Sequence, residues 1–157
     1  MIATQGAFFN YQHFRESLKQ SPAPARVWNA TAMGQTRDQL METGVDIVAL
    51  ASEQSLDGCE LIPGMVVSMQ WLKPGDTLKG HSHSWWHLFI IQTGCGQVVI
   101  GDQQTVQINP GDVILVPAWN EHGFVNTSAS EPLSMLNLSN MSQVSALASL
   151  ITSTPSR

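Results

Sequence analysis

The chain has 157 residues, of which 43% are hydrophobic and only 12% are charged. This length fits one domain that can bury a core without covalent cross-links, and the composition excludes a disordered chain. The net charge of -5 disfavours nucleic acid as a partner, because phosphates need a basic surface and no Lys or Arg lies between Gly80 and Ser156.

The N-terminal segment, residues 1–44, is predicted to be an extension with one short helix. Asn10–Lys19 begins with a capping residue and then places aromatic and aliphatic side chains on one helical face. The prolines of residues 21–24 end this helix. The segment has no basic stretch followed by an apolar one, so no secretory signal is expected and we expect a cytoplasmic protein.

Residues 45–139 change to the alternating pattern typical of β-strands. Met65–Leu72 alternates and predicts a strand with one largely apolar face. Thr93–Gly96 is predicted to be the turn of a hairpin. Further short strands are predicted at Val45–Leu50, His87–Gln92, Gln97–Ile100, Thr105–Ile108, Val113–Val116, His122–Asn126 and Leu133–Leu138. Short strands punctuated by Gly and Pro turns are typical of a β-sandwich or barrel.

The last segment, residues 140–157, is predicted to be a helix and a tail. Asn140 to Gln143 resembles a capping box, and the apolar helix after it is expected to end near Ser153. The patterns together predict one all-β domain flanked by short N-terminal and C-terminal helices. Cys59 and Cys95 belong to no CxxC pattern and are expected to be reduced thiols; a disulfide between them would need a proximity that the sequence does not show.

Four of the five histidines lie close together in the sequence: His81, His83, His87 and His122. His81 and His83 are two residues apart, so on a strand both imidazoles project from one face, and His87 keeps the same parity. Neutral imidazoles suit Fe, Mn, Co, Ni, Cu or Zn and suit Ca and Mg poorly. Burying several histidines without a metal would leave polar nitrogens unsatisfied. The pattern therefore predicts one divalent transition metal per chain.

Two segments around these histidines resemble the two sequence motifs of the cupin family. GDTLKGHSHSWWHLFIIQTG, from Gly75 to Gly94, has the glycines and the HxH pair of the first motif. GDVILVPAWNEHGFVN, from Gly111 to Asn126, has the glycine, proline, histidine and asparagine of the second. The resemblance implies a cupin-type jelly-roll β-barrel with a metal at its centre. By motif position, it implies that His81, His83 and His122 are metal ligands.

Two positions depart from the cupin pattern. His87 stands where the first motif has a glutamate, so the ligand set becomes four neutral histidines, as in a subgroup of small single-domain cupins that includes dioxygenase-like proteins and polyketide cyclases. Trp119 stands where the second motif has a glycine, and its Pro-x-Trp stretch is similar to that of gentisate-type ring-cleaving cupins. Those cupins keep no ligand at the position of His87. If His87 leaves the metal, three facial histidines are left, as in oxygen-activating iron cupins.

The substrate pocket is predicted from residues whose parity or position places them in the barrel or at its mouth. They are Met69, Trp71, Phe89, Ile91, Trp119, Phe124 and Met135. Their character suggests a small apolar or aromatic substrate. Glu121, beside His122, is a weak candidate for a general base, and Lys79, with the parity of His81, is a weak candidate for binding an anion. An exposed position is the simpler interpretation for both.

Other residues near the motifs have more than one interpretation. Asn126 shares the face of His122 and either orients a ligand or closes a turn. One of Trp85 and Trp86 must face outward, where an exposed indole would mark a pocket lid or a subunit interface. His13 is expected to be structural or exposed and to have no part in the metal site.

The resemblance leaves three functions open. The preferred one is a dioxygenase for a small dicarbonyl or phenolic substrate that chelates through oxygen, with Fe or Mn favoured over Ni, Cu or Zn. The alternatives are a non-redox isomerase or cyclase that uses zinc, and a non-catalytic small-molecule-binding protein. Small cupins commonly dimerise, so a homodimer is expected. No apolar run is long enough to span a bilayer, so no membrane partner is expected.

Overall fold

A computed structural model describes residues 10–12, 15, 25–51, 60–62, 64–101, 104–146 and 152–153. Its helices are α1 (Ala30–Met41) and α2 (Met141–Ala146). Its strands are β1 (Ile47–Ala49), β2 (Glu60–Ile62), β3 (Met65–Leu72), β4 (Thr77–His83), β5 (His87–Thr93), β6 (Gly96–Ile100), β7 (Gln104–Ile108), β8 (Val113–Val116), β9 (His122–Asn126), β10 (Leu133–Ser139) and β11 (Thr152–Ser153).

The strands form two antiparallel sheets that enclose one hydrophobic core. The first sheet has the order β1-β3-β10-β5-β8, with β2 also paired to β3, and the second has the order β11-β4-β9-β6-β7. Ile91 and Met135 of the first sheet and Val98 and Phe124 of the second are at most 2% exposed and belong to one core cluster. The predicted all-β jelly-roll fold is therefore confirmed.

The turn at Thr93–Gly96 joins the two sheets and does not form the predicted hairpin. β5 pairs with β10 and β8, whereas β6 pairs with β7 and β9. Gly94 has a φ of 77°, and a Cβ there would run into the backbone of Pro132. Glycine is therefore required where the chain crosses from one sheet to the other next to Pro132. The hairpin prediction is wrong because the residues of a turn do not identify the strand with which the next strand pairs.

The helices differ from the sequence prediction in two places. Of the predicted helix Asn10–Lys19, Tyr11, Gln12 and Arg15 are helical, Asn10 precedes the helix and accepts the N–H of Gln12 with its Oδ1, and the other residues lie outside the described ones. α1 was not predicted, because none of its residues is buried and it has no apolar stripe. Asn29 caps its N-terminus, because Oδ1 of Asn29 accepts a hydrogen bond of 2.8 Å from the N–H of Ala32.

The C-terminal segment also differs from its prediction. α2 covers Met141–Ala146, and the expected helix end near Ser153 is wrong, because Thr152 and Ser153 form β11. Thr152 pairs with His83 and thereby covers the edge of β4 with backbone hydrogen bonds. Among the described helices, none is both long and apolar enough to cross a membrane.

Trp119 occupies a backbone conformation that favours glycine. Its φ is 66°, the only positive value of a non-glycine residue in the described part of the chain, and its side chain is 52% exposed. Its N–H donates a 2.8 Å hydrogen bond to the carbonyl of His83, which fixes the loop beside the end of β4. The left-handed region costs an ordinary residue about 1 to 2 kcal/mol.

We expect Trp119→Gly to raise the free energy of unfolding by about 1 kcal/mol, because glycine adopts this φ without the steric cost. Ala118→Gly is the matched control. It should lower the free energy of unfolding, since it adds flexibility to the unfolded chain without relieving strain. Urea denaturation of both variants measures the difference. A Trp119→Gly protein less stable than the Ala118→Gly protein would show that contacts of the indole outweigh the strain.

Candidate metal centre

The four motif histidines meet between the two sheets. His81 and His83 lie on β4, His122 begins β9 directly opposite His81, and His87 begins β5 of the other sheet. The ring centroids of His81 and His122 are 4.5 Å apart, and those of His83 and His87 are 4.6 Å apart. His83, His87 and His122 are buried. The fold thus gathers side chains from three strands around one point.

An irregularity in β4 directs His81 into this cluster. The register with β9 shifts between Leu78 and His81, so that Leu78 and His81 both line the same cavity. Such a bulge changes the face on which the following residues lie. Lys79 is consequently exposed and does not share the face of His81, which corrects the predicted parity. Glu121 is also exposed, and its side chain lies against Gly80, where a Cβ would come within 2.5 Å of Oε1.

Backbone carbonyls fix the tautomer of three histidines. Nδ1 of His81 lies 3.0 Å from the carbonyl of Lys79, Nδ1 of His83 lies 3.1 Å from that of Trp85, and Nδ1 of His122 lies 3.0 Å from that of Asn120. A carbonyl oxygen can only accept a hydrogen bond, so each Nδ1 carries the proton and each Nε2 presents a lone pair. Three uncharged donors are thereby oriented for a cation.

Asn137 holds His87 in the same tautomer. Its Oδ1 lies 2.6 Å from Nδ1 of His87, so this nitrogen donates and Nε2 again has the lone pair. Nε2 of His87 lies 2.8 Å from Nε2 of His83. Two lone pairs at this distance repel each other unless a cation or an N–H donor lies beside them, so His87 is close enough to reach a cation held by His83.

The histidines present fit the metal that the sequence motifs imply. One nitrogen from each of His81, His83 and His122 can be chosen such that all three lie within 4.8 Å of one another. Neutral imidazoles of this kind suit transition metals, and the carbonyls behind them serve as the outer hydrogen-bond partners that such ligands have in metal sites. No carboxylate belongs to this group in the described part of the chain.

Burial keeps His83, His87 and His122 uncharged at neutral pH, because it lowers the pKa of each. Desolvation, followed by repulsion from His122, lowers the pKa of His83 to about 4. Desolvation also lowers the pKa of His87 to about 3, partly offset by the hydrogen bond to Asn137. The pKa of His122 is lowered by desolvation as well. Their lone pairs are therefore available without prior loss of a proton.

We expect the metal-free protein to lose stability as the pH falls below about 6.5, the ordinary pKa of histidine. Below that value His83 and His87 bind protons in the unfolded chain, whereas in the folded protein they bind protons only near pH 4 and pH 3, respectively. Each histidine lowers the free energy of unfolding by about 1.4 kcal/mol per pH unit over its own interval. Urea denaturation between pH 7 and 5 measures the slope, and His87→Gln should reduce it. A flat profile would contradict the assignment.

A cavity of about 460 Å³ opens beside the histidines. Apolar side chains, including Leu78 and Phe89, form much of its wall. A polar strip lies on the first sheet and consists of Ser68, Gln70, Asn137 and Ser139. Among the described residues, no Lys, Arg, Asp or Glu lines the cavity. The polar strip was not predicted from the sequence. Polar residues on one face of an otherwise apolar strand are the signal that could have indicated it.

The predicted pocket residues lie in five different places. Phe89 lines the cavity, and Ile91, Phe124 and Met135 belong to the packed core and are not among its lining residues. Met69 and Trp71 lie on the opposite face of β3 from Ser68 and Gln70, in separate depressions beside α1 and beside the segment before β1, so their assignment to the pocket is wrong. Met69 and Trp71 are apolar because this second face of β3 is also covered by other parts of the chain. Trp119 is exposed and does not line the cavity.

The remaining residues near the motifs take distinct roles. Trp85 lines the cavity and stacks on His83, whereas Trp86 lies in an outer groove with Leu88 and Leu115. The two N–H groups of Asn126 Nδ2 lie within hydrogen-bonding distance of three carbonyls, that of Leu72 at the end of β3 and those of Lys73 and Glu131 in the adjoining turns. Of the two interpretations of Asn126, the structure supports the closing of turns. Cys95 is exposed, and Cys59 lies outside the described residues.

Comparisons with known proteins agree with this fold. Residues 68–139 match the family model of the cupin domain. The 1-hydroxy-2-naphthoate 1,2-dioxygenase of Nocardioides sp. (strain KP7) is 30% identical over 96 residues, which are 61% of this chain and 24% of that enzyme.

Solved structures of salicylate 1,2-dioxygenase are similar in fold. The enzyme from Pseudaminobacter salicylatoxidans matches with a TM-score of 0.77 and 18% identity, over 93% of this chain and 47% of that one. A structure of salicylate 1,2-dioxygenase as an adduct with gentisate matches with a TM-score of 0.68 and 18% identity, over 84% of this chain and 37% of that one. This chain therefore spans half or less of the length of these relatives.

Proposed function

We propose that this chain, whose residues 68–139 match the family model of the cupin domain, is a metal-dependent dioxygenase. Its substrate is a small molecule that chelates the metal through two oxygens, as a dicarbonyl or a phenol with a neighbouring oxygen can. His81, His83 and His122 would hold the metal, with iron or manganese preferred. The homodimer expected from the sequence is part of the same proposal.

The observation that supports this proposal best is the convergence of neutral Nε2 lone pairs at the edge of a cavity. Three uncharged ligands leave the full charge of a divalent ion to attract an anionic chelating group. The bound ion would supply Lewis acidity and a redox-active centre. The chain itself orients the three imidazoles through the carbonyls of Lys79, Trp85 and Asn120.

The cavity wall supports a substrate whose only charge lies at its chelating oxygens. No Lys or Arg among the described residues lines the cavity, so a carboxylate far from the metal would lose its hydration without gaining a partner. The apolar wall around Leu78 and Phe89 would accommodate a hydrocarbon body, and the polar strip offers Ser68 and Asn137 to neutral oxygens. A diketone or a catechol fits these requirements better than a dianion.

The relatives support the same reaction class. The similar proteins are dioxygenases that are described as acting on 1-hydroxy-2-naphthoate and salicylate, and one structure holds gentisate. All three molecules carry oxygens on neighbouring positions of an aromatic framework.

Oxygen uptake tests the proposal. Protein purified without oxygen is loaded with Fe, Mn, Ni or Cu and mixed with acetylacetone, catechol, gentisate or salicylate in an oxygen electrode. We expect uptake that requires both the metal and a chelating compound. Uptake with none of these combinations would refute the dioxygenase. Conversion of a dicarbonyl by the zinc-loaded protein without oxygen uptake would support the isomerase or cyclase alternative.

A further inference from the structure

Trp85 competes with a metal for the fourth histidine. Its Nε1–H donates a 3.0 Å hydrogen bond to Nε2 of His87. Nδ1 of His87 is bonded to Asn137, so Nε2 carries the single lone pair of the ring. One lone pair serves either an N–H donor or a metal ion. As long as the indole donates, His87 is not a ligand.

Two further contacts hold Trp85 in this position. Its ring stacks on that of His83, with centroids 3.8 Å apart and planes inclined by 4°. Its carbonyl accepts the Nδ1–H of His83, so both the backbone and the side chain of Trp85 contact this ligand candidate. Trp85 therefore both orients His83 through its carbonyl and directs its own indole N–H at His87.

His87 is nevertheless close enough to become a ligand. Its Nε2 lies 2.8 Å from that of His83, whereas the group of three that converges for a metal consists of His81, His83 and His122. We propose that Trp85 is a positioning residue that withholds His87 from the metal and so keeps a three-histidine site in a chain that carries four. This inference rests on the metal site of the proposed function.

Withholding His87 has a consequence for the substrate. A six-coordinate ion held by four histidines would have two free positions, both of which a chelating substrate would fill. Held by three histidines, it would keep a third position for a second reactant. The indole hydrogen bond would thus preserve that position, even though the chain contains a fourth imidazole within reach.

Nuclear magnetic resonance of the cadmium-loaded protein tests this inference directly. Histidine is labelled with a nitrogen isotope, the metal is an NMR-active cadmium isotope, and one-bond cadmium–nitrogen coupling identifies each ligating histidine. We expect coupling to His81, His83 and His122 in the unmodified protein. In Trp85→Phe, which retains a ring to stack on His83 but loses the N–H, we expect coupling to His87 as well, and cadmium affinity about ten-fold higher.

Trp86→Phe is the matched control, because it makes the same change one residue along, in a side chain on the outer groove. It should give the three couplings and the affinity of the unmodified protein. Coupling to His87 in the unmodified protein would overturn the inference even if Trp85→Phe did not fold, and so would three couplings in a folded Trp85→Phe. Cadmium coupling to no histidine in any variant would overturn the metal site and with it the proposed function.

Discussion

Replacing His122 with alanine should weaken metal binding more than about 100-fold, because loss of a partner behind a metal ligand already costs 10- to 100-fold and here a ligand itself is lost. His122 is 1% exposed, lies opposite His81 in the β4–β9 pair, and has its Nε2 lone pair fixed by the carbonyl of Asn120. The remaining imidazole of the cluster, that of His87, does not replace it, because its Nε2 lone pair accepts the indole N–H of Trp85. The site is therefore left with two of its three ligands.

The measurement is a metal titration of the purified apo-protein, followed by the metal content after dialysis. His13→Ala is the matched control, since it removes the same side chain from a position outside both sequence motifs, and it should leave the affinity unchanged. Circular dichroism must show that the barrel is retained in His122→Ala. Full metal occupancy of the folded variant would mean that His122 is not a ligand.

Replacing Asn126 with alanine should lower the free energy of unfolding by about 2 to 4 kcal/mol, because one buried and three partly buried hydrogen bonds to backbone groups are lost. The side chain is 1% exposed. Its Nδ2 lies 2.9 to 3.0 Å from the carbonyls of Leu72, Lys73 and Glu131, and its Oδ1 accepts the N–H of Ser128. The Asn126 amide thus supplies hydrogen-bond partners to backbone groups in the turns that follow β3 and β9. Its loss leaves carbonyls at this end of the barrel without a donor.

An aspartate at position 126 separates the hydrogen bonds from the packing. Asn126→Asp has the same shape but directs a carboxylate without N–H groups at three carbonyls, so it should destabilise the protein at least as much as alanine. Asn109→Ala, in an exposed turn, should change the stability by less than about 0.5 kcal/mol. Folded Asn126→Ala should still bind metal. Stability equal to that of the unmodified protein would show that the three donated bonds contribute nothing.

The strand pattern carried enough information to predict the fold. β3, β8 and β9 begin and end at the predicted residues, because alternation and the Gly and Pro turns are local properties. The face of β3 could not be assigned in the same way. Both faces of this strand are covered, so the apolar series that includes Met69 lies outside the barrel, and Ser68 and Gln70 face the cavity.

Only those features of the candidate site that depend on local sequence spacing were predictable. The HxH pair and the second motif indicated the histidines, but the bulge before His81, which leaves Lys79 in solvent, changes parity without a signal in the composition. The contact of His87 with Asn137 joins residues 50 positions apart and depends on the pairing of β5 with β10. Such contacts follow from the tertiary structure, which is why the polar strip and the role of Trp85 were not anticipated.

The central claim is that the histidine cluster holds one redox-active metal ion. Mass-spectrometric metal analysis of the protein, purified without added metal or chelator, tests it most directly, with His122→Ala prepared in parallel. We expect close to one iron or manganese ion per chain in the unmodified protein and almost none in the variant. A protein that contained only zinc would contradict the proposed oxygen chemistry, and equal metal contents in the two proteins would contradict the site itself.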